Sequence, residues 1–301
     1  MSRKSRIVPS LAATALALPM IPSGVGPTVP AVRATISAPA AAAAPSGPVP
    51  PPSPTRVATF RHSTRIDNRF FPLVPGTEFV YTGTVTESGK SIPHTVRFSV
   101  SHLTKKVHGV TTRVVWDRDL SGATVNEAEL ALFAQDDRGR VWNFGEYPEE
   151  YENGRFVGAP DTWITGMAGA RGGLHMLAHP SVHSRPYAEG LIPAIDFYDV
   201  SRVAATKRRT CAPVRCYRNV LVVNETSPLE PDSGIQVKYY APHVGLVRVG
   251  AVGGDSQERL RLTSVTRLKR AARCALDRAV RQMDRRGHHV SKIYSRTPFV
   301  H

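Results

Sequence analysis

Apolar and polar residues alternate along much of the chain between residues 77 and 268, and this period of two is typical of β-strands. The alternating runs are rich in β-branched and aromatic residues, which favour extended structure. Nine such runs lie at residues 77–86, 95–103, 111–120, 128–136, 140–147, 217–226, 235–242, 244–252 and 259–268.

Turn-forming residues separate these runs. They are Ser-Gly-Lys at 88–90, His-Gly at 108–109, Asp-Asp-Arg-Gly at 136–139, Asn-Gly at 153–154 and Gly-Gly-Asp at 253–255. Short strands joined by tight turns form antiparallel meanders rather than βαβ units. The pattern therefore predicts one all-β domain over residues 56–266, built as an antiparallel meander sheet or half-barrel of at least eight strands.

Residues 155–195 interrupt the strand pattern with frequent glycine and no clear period. A long irregular segment inside a compact domain is usually either functional or disordered. We expect this insertion to form the wall or lid of any pocket in the domain. Trp163, His179 and Tyr187 are then the residues expected to contact a ligand, which we take to be a small molecule or a lipid.

The chain ends in a basic segment over residues 267–301. Apolar residues between 267 and 286 follow a period near 3.6, which predicts a helix that ends at Gly287. The helix could lie on an anionic surface such as lipid headgroups or a cell-wall polyanion. The alternative is a solvated terminal helix, because a short helix with a mostly alanine face is marginal in water.

The N-terminal residues predict export. Arg3, Lys4 and Arg6 precede an apolar stretch at 7–20, which is the pattern of a secretory signal peptide over residues 1–21. An uncleaved anchor is the alternative, although the stretch is short for a membrane span. Residues 22–55 are rich in Pro, Ala, Ser and Gly and predict a disordered, extended spacer. We expect a secreted or extracytoplasmic protein.

The net charge of +15 is unevenly distributed along the sequence. Residues 1–55 carry 4 Lys and Arg and no acids, and residues 267–301 carry 10 Lys and Arg against 2 Asp. The β-domain at 56–266 carries 25 Lys and Arg against 22 Asp and Glu, so it is nearly neutral. A nucleic-acid-binding domain usually carries the basic patch itself, and we therefore expect no nucleic-acid partner.

Three cysteines bear on the redox compartment. Cys211 and Cys216 are five residues apart around Pro213, and after export this spacing favours a small disulfide loop over two free thiols. Cys274 is then left over, as a free thiol or an intermolecular partner.

Histidines at four-residue intervals raise the question of a metal site. His175, His179 and His183 would share one face of a helix, as zinc-binding histidines do. Pro180 disfavours helical geometry at His179, so we expect no aligned face, no metal and no cofactor. His179 alone is expected to be a hydrogen-bonded histidine at the mouth of the insertion, with ligand contact as the alternative.

An acidic group offers a second route to chemistry. Glu146, Glu149, Glu150 and Glu152 surround two tyrosines, and paired carboxylates near aromatics occur in glycoside hydrolases. The more ordinary interpretation is a solvated edge. The sequence contains no G-x-S-x-G, P-loop, H-E-x-x-H or strand-linked G-x-G-x-x-G motif.

Several segments together resemble a known family. They are IDNRFFPLVPGTEFVY (66–81), AQDDRGRVWNFGEYPEEYENGR (134–155), GMAGARGG with MLAHP (166–180), TSPLEPD (226–232) and KYYAPHVGLV (238–247). In this order they resemble uncharacterised secreted proteins and lipoproteins of bacteria, actinobacteria among them. His179 falls on the family's Ala-His-Pro element. The resemblance implies an exported bacterial domain and supplies no mechanism.

Three functions remain open from the sequence. The first is a non-catalytic extracytoplasmic module that binds a ligand or serves a structural role. The second is a secreted hydrolase, metal-assisted or carboxylate-based, with His179, Glu146 and Glu152 as catalytic residues and Asp196 and Asp199 as further candidates. The third is adhesion to an anionic surface through the C-terminal helix.

Overall fold

A computed structural model describes residue 51 and residues 53–87, 89–254 and 257–301. The predicted signal peptide and nearly all of the predicted spacer lie outside the described residues. The strands are β1 (Thr77–Glu87), β2 (Lys90–Val107), β3 (Val110–Ser121), β4 (Thr124–Gln135), β5 (Val141–Glu152), β6 (Arg155–Gly158), β7 (Trp163–Ile164), β8 (Arg171–Gly172), β9 (Leu174–Met176), β10 (Tyr187–Ile192), β11 (Phe197–Ala212), β12 (Arg215–Thr226), β13 (Ile235–Ala241), β14 (Gly245–Val252) and β15 (Gln257–Arg267). The helices are α1 (Pro54–Val57) and α2 (Arg270–Val290), with 3₁₀ turns at Pro193–Ile195, Pro231–Ser233 and Tyr294–Arg296. The prediction of an all-β antiparallel fold with an irregular insertion and a C-terminal helix is confirmed.

The strands form one antiparallel sheet whose order runs from β6 through β5, β4, β3, β2 and β1, then back from β15 to β10 and β8. The first strand therefore pairs with the last, with Thr77 opposite Arg267. Elsewhere each long strand pairs with its neighbour in sequence, as a meander requires.

The irregular insertion bridges the two halves of this sheet. β8 pairs with β10, and β9 pairs with β5. At Gly173, between β8 and β9, the amide donates to Glu189 O at 2.9 Å and the carbonyl accepts from Asn143 N at 3.0 Å. The segment 171–176 thus lies between β5 and β10, and the strands surround a common interior.

Two of the predicted hairpin turns have the backbone geometry expected from their sequence. At the β2–β3 turn, His108 and Gly109 have φ values of 48° and 84°, and at the β5–β6 turn Asn153 and Gly154 have values of 52° and 74°. Two consecutive residues with positive φ form the type I′ turn, whose twist matches that of the strands.

One half of the interior is an apolar core. Phe71 and Leu73, from the FPLVP segment before β1, pack into it, and the Phe71 ring lies 5.3 Å from that of Phe133. Asn68 holds this segment in place, because its Oδ1 accepts from the amides of Phe70 and Phe71. The segment therefore closes one end of the interior.

Helix α2 packs on the outer face of the sheet. Leu276, Val280 and Met283 join a second core with the outward residues of β2 to β5. Asp284 is buried with them and accepts from Lys105 Nζ at 2.7 Å and from Tyr294 Oη at 2.9 Å. The sheet thus covers the apolar face of the helix, and most of its arginines stay exposed.

The helix continues past Gly287, so the predicted end at that residue is wrong. A Cβ at Gly287 would lie 2.7 Å from Cδ1 of Tyr294. Glycine is used here for close packing against that ring rather than as a C-terminal cap. No helix among the described residues is both long and apolar enough to cross a bilayer.

Candidate functional site: a carboxylate-rich interior

The second half of the interior is lined by acids instead of apolar residues. On β3, Val115 faces the apolar core, and Asp117 and Asp119 follow on the same face of the strand. On β4, Glu127 and Glu129 precede inward-facing Phe133 with the same period. Asp117 lies opposite Glu129, and Asp119 opposite Glu127. Each strand therefore changes from apolar to acidic along one face.

Strands β5, β10, β11, β12 and β15 add further carboxyl groups to this region. Among the described residues the set, which we call the interior acidic cluster, has nine members: Asp117, Asp119, Glu127, Glu129, Glu146, Glu189, Asp199, Glu225 and Glu258. The most exposed of them, Glu127, is only 6% exposed. Burying so many carboxylates without cations is unfavourable, because each loses its hydration.

Other buried acids in the protein each have a cation of their own. Asp136 pairs with Arg140, Glu149 with Arg286 and Asp284 with Lys105. The interior acidic cluster has, within the described residues, one buried ammonium group, that of Lys238, and the two imidazoles of His94 and His175. Its excess of carboxyl groups is what distinguishes this region.

Glu146 accepts two side-chain hydrogen bonds, one at each carboxyl oxygen. Its Oε1 accepts from Asn143 Nδ2 at 2.5 Å, and its Oε2 accepts from Trp163 Nε1 at 2.9 Å. Burial raises the pKa of Glu146 to about 8, and the nearby Glu189 charge adds to the rise against the effect of both hydrogen bonds. Glu146 is therefore largely protonated at neutral pH.

Lys238 organises the opposite side of the cluster. Its Nζ donates to Glu225 Oε2 at 2.7 Å, and Ser201 Oγ donates to the neighbouring Glu189. Burial and the Glu189 charge raise the pKa of Glu225 to about 7 despite the ammonium group. Burial also raises the pKa of Asp199, next to the same carboxylates. In this part of the cluster a carboxyl group is already paired with an ammonium group of the chain itself, that of Lys238.

The two histidines lie beside carboxylates without aligned hydrogen bonds. His94 Nε2 is 3.2 Å from Glu258 Oε1 and 3.7 Å from Asp119 Oδ2. His175 Nδ1 is 3.5 Å from Glu189 Oε2. Burial, reinforced by the Lys238 charge, lowers the pKa of His175 to about 3, so its ring is neutral.

Several buried polar atoms in this part of the described chain have unused hydrogen-bonding capacity. They are both ring nitrogens of His94 and of His175 and one carboxyl oxygen each of Asp119, Glu129, Glu189, Asp199 and Glu258. Buried polar atoms in native proteins nearly always have partners. A guest molecule with N–H donors would satisfy the oxygens and offset the cost of their burial.

A line of carboxyl groups connects the cluster with the surface. Glu150 and Asp161 are half-buried, and burial raises the pKa of each to about 6. Both contribute to the raised pKa of Glu127, whose main cause is burial. The charge of exposed Glu152 in turn adds to the raised pKa of Glu150. Neighbouring carboxyl groups therefore extend from solvent-exposed Glu152 to buried Glu127.

The structure separates the residues that the sequence nominated for catalysis. Glu146 lies in the interior acidic cluster, opposite Trp163 on β7. His179 and Glu152 are exposed. His179 follows β9, which pairs near Val141 at the far end of β5. These three do not form one constellation.

The nominated ligand contacts are also divided. Trp163 and Tyr187 are buried beside the cluster, and burial together with the Glu189 charge raises the pKa of Tyr187. Asp199 belongs to the cluster, whereas Asp196 is exposed in a turn. No group of three or more His, Cys, Asp or Glu side chains in the described residues has a geometry suited to a metal ion.

The interpretation of the β5 acids as a solvated edge was wrong for Glu146 and Glu149. β5 continues to Glu152, and its alternation carries these side chains inward or under α2. Glu149 accepts from Arg286 of the helix and from the hydroxyls of Tyr147 and Tyr151.

Cys211 and Cys216 form a disulfide across the β11–β12 hairpin, and Cys274 is a free, exposed thiol.

Comparisons with known proteins give no family. The chain matches no protein-family model and no curated protein. Among solved structures it is similar to an exported protein with a YmcC-like fold from Bacteroides fragilis, at 14% identity and a TM-score of 0.39. It is also similar to a lipoprotein from Parabacteroides distasonis, at 11% identity and a TM-score of 0.37. Each match covers 66% of this chain and 99% of the other chain.

Proposed function

We propose that this protein is an extracytoplasmic, non-catalytic binding module whose interior takes up an organic ammonium ligand. The observation that carries the proposal is the burial, within the described residues, of nine carboxyl groups in a region that has one buried ammonium group, that of Lys238. No other part of the described chain buries so many acidic side chains.

The electrostatics favour a cationic guest. Burial and the Glu189 charge raise the pKa of Glu146 to about 8 and that of Glu225 to about 7. A cation within hydrogen-bonding distance stabilises the carboxylate form and lowers such a pKa. Binding of an ammonium ion therefore releases protons, and affinity rises with pH between about 6 and 8.

The residues that line the interior favour an amine that also carries a hydrocarbon part. His175 lies between the two halves, since its ring is 4.2 Å from that of Phe71 and its Nδ1 is 3.5 Å from Glu189. Lys238 itself illustrates the match, because its alkyl chain is buried while its ammonium group contacts Glu225. A ligand with an apolar chain and one or two ammonium groups combines the same elements.

Calorimetric titration of the full chain with three matched ligands tests the proposal. The probes are 1,8-diaminooctane, the neutral 1,8-octanediol and the anionic octanedioate. We expect the diamine to bind, with proton release, and the diol and dioate not to bind. Equal binding of diol and diamine would refute a charge-based site, and tighter binding of Ca²⁺ than of diamine would replace the amine by a metal ion.

Variants localise the binding to the cluster. Glu129→Gln and Asp119→Asn each replace one buried carboxyl group by an amide that cannot ionise, with little change of shape, and we expect each to weaken diamine binding at least tenfold. That factor corresponds to about 1.4 kcal/mol, a modest value for a buried ion pair. Asp232→Asn, at an exposed position, is the matched control and should bind as the wild type does.

A carboxylate-based hydrolase is the second candidate, and Glu146 is the observation that favours it. A carboxyl group with a pKa of about 8 is protonated at neutral pH, as a general acid must be, and other carboxylates lie nearby. Glu146→Gln separates the two functions. It would abolish turnover by a hydrolase, whereas a binding module, which has no turnover to lose, would bind the diamine less tightly and release fewer protons.

A further inference from the structure

The β11–β12 hairpin extends beyond its neighbours in the sheet. β10 pairs with β11 no further than Ser201, and β13 pairs with β12 only over 221–225. Within the described residues, the stretch 202–220 therefore pairs only within the β11–β12 hairpin. We call this two-stranded segment the basic ribbon.

The basic ribbon carries six cations and no acid. They are Arg202, Lys207, Arg208, Arg209, Arg215 and Arg218, and all six are exposed. None of them forms an ion pair with a carboxylate in the part of the chain that the structure describes. The remainder of the β-domain, without these six, carries more acids than bases.

Irregularities in the pairing of β11 with β12 expose three consecutive cations to solvent. The pairing of β11 with β12 shifts between Val203 and Ala205, again before Arg208, and again before Thr210. Lys207 has a positive φ of 54°. Such bulges break the alternation of a strand, so that three consecutive cations, residues 207–209, face solvent.

The opposite face of the basic ribbon is anchored. Ala212, Tyr217 and Val220 belong to the apolar core, and the Cys211–Cys216 disulfide closes the tip. An isolated two-stranded hairpin is marginally stable in water, and these two devices hold it in one conformation. The cations therefore lie on a fixed surface rather than on a loose loop.

We propose that the basic ribbon docks the protein onto a membrane that contains anionic phospholipids. Charge complementarity selects an anionic surface, and the tip adds an apolar element. Val214, beside Pro213, is 42% exposed between the flanking cations. Cations around a small apolar tip suit the boundary between headgroups and acyl chains, whereas a soluble polyanion gains nothing from an exposed valine.

The test uses the full chain and sedimentation with vesicles. The probe vesicles contain phosphatidylcholine with phosphatidylglycerol at roughly one anionic lipid in three. We expect the protein to bind these vesicles and to bind vesicles of phosphatidylcholine alone only weakly. A cation near such a surface contributes about 1 kcal/mol, so each one removed lowers the partition coefficient roughly fivefold. The triple variant K207Q/R208Q/R209Q should lose about a hundredfold, and 0.5 M salt should have a similar effect.

The matched control is R270Q/R278Q/R285Q, which removes three exposed cations from α2. We expect this variant to bind vesicles within a few-fold of the wild type. Loss of binding in the helix variant but not in the ribbon variant would overturn the proposal and place adhesion on α2.

Two further readouts keep the result decisive. An unchanged melting temperature of the ribbon variant excludes unfolding as the cause of lost binding, and V214S should weaken binding without a change of charge. Salt-sensitive binding to a soluble polyphosphate with no binding to anionic vesicles would also overturn the proposal, because the partner would then be a polyanion.

Discussion

Glu146 offers a direct measurement of the cost of the carboxylate-rich interior. Its carboxyl group titrates near 4.5 in the unfolded chain and at about 8 in the folded protein. Because the folded pKa is raised, the stability from this group is complete below about pH 4.5 and is lost as the pH rises towards 8. At about 1.4 kcal/mol per pH unit, the loss approaches 4–5 kcal/mol.

Glu146→Gln removes this titration and keeps the shape of the side chain. The amide retains one acceptor for two donors, Asn143 and Trp163, so at pH 5 the variant should be less stable by about 1 kcal/mol. At pH 8 the wild type has lost most of the stability that depends on a protonated carboxyl. The variant should then be the more stable protein by about 3 kcal/mol.

Urea denaturation of both proteins at half-unit steps from pH 4.5 to 8.5, without amines in the buffer, gives the two free energies of unfolding. We expect the curves of stability against pH to cross between pH 5 and 7. E152Q, at an exposed position of the same strand, should show no crossing. A constant difference between wild type and E146Q across this range would refute the assignment of a raised pKa to Glu146.

Three further predictions concern the scaffold. The double variant C211S/C216S should lose about 2 kcal/mol of unfolding free energy in urea, the amount expected for closing a loop of a few residues. Asp284→Ala leaves the buried Lys105 ammonium group without its carboxylate and should lower the free energy of unfolding by about 3–5 kcal/mol. The same substitution at the exposed Asp232 should leave the free energy of unfolding unchanged. Gly173→Ala places a Cβ 2.1 Å from a backbone oxygen of β10, so thermal melting should show a loss of about 1–3 kcal/mol of unfolding free energy. Full stability of this variant would contradict the close bridging of β5 and β10.

The fold class was accessible from sequence because its signals are local. Alternation marks the strands, and pairs such as His108-Gly109 set positive φ at the turns that join them. The FPLVP segment was also predictable as an apolar plug, because its prolines exclude a central strand and its aromatics need burial.

The acidic cluster was not accessible in the same way. The sequence Glu127-Ala-Glu129-Leu places two carboxyls on one face of a strand and two apolar side chains on the other. Alternation alone favours burial of the Ala and Leu face and exposure of the acids. Both faces are buried here, one by α2 and one by the bridging insertion, and these are contacts between residues distant in sequence.

A signal for the cluster was nonetheless present. Acids two positions apart occur as Asp117 and Asp119 on β3 and as Glu127 and Glu129 on β4, and these strands are adjacent in the predicted meander. Like charges directly opposite one another destabilise an antiparallel pair, so their alignment indicates either a wrong register or a charged site. This signal emerges only when the acids of neighbouring strands are compared.

The pairing of Thr77 with Arg267 has a consequence for how the chain acquires its structure. The outer edge of β1 has no partner until the final strand is available, nearly 190 residues later along the chain. Contacts of such long range are slow to form, and the exposed edge is prone to pair with other chains in the interval. A truncation before β15 therefore leaves an aggregation-prone intermediate rather than a smaller stable domain, and complete synthesis of the C-terminal part is a condition for solubility of the whole.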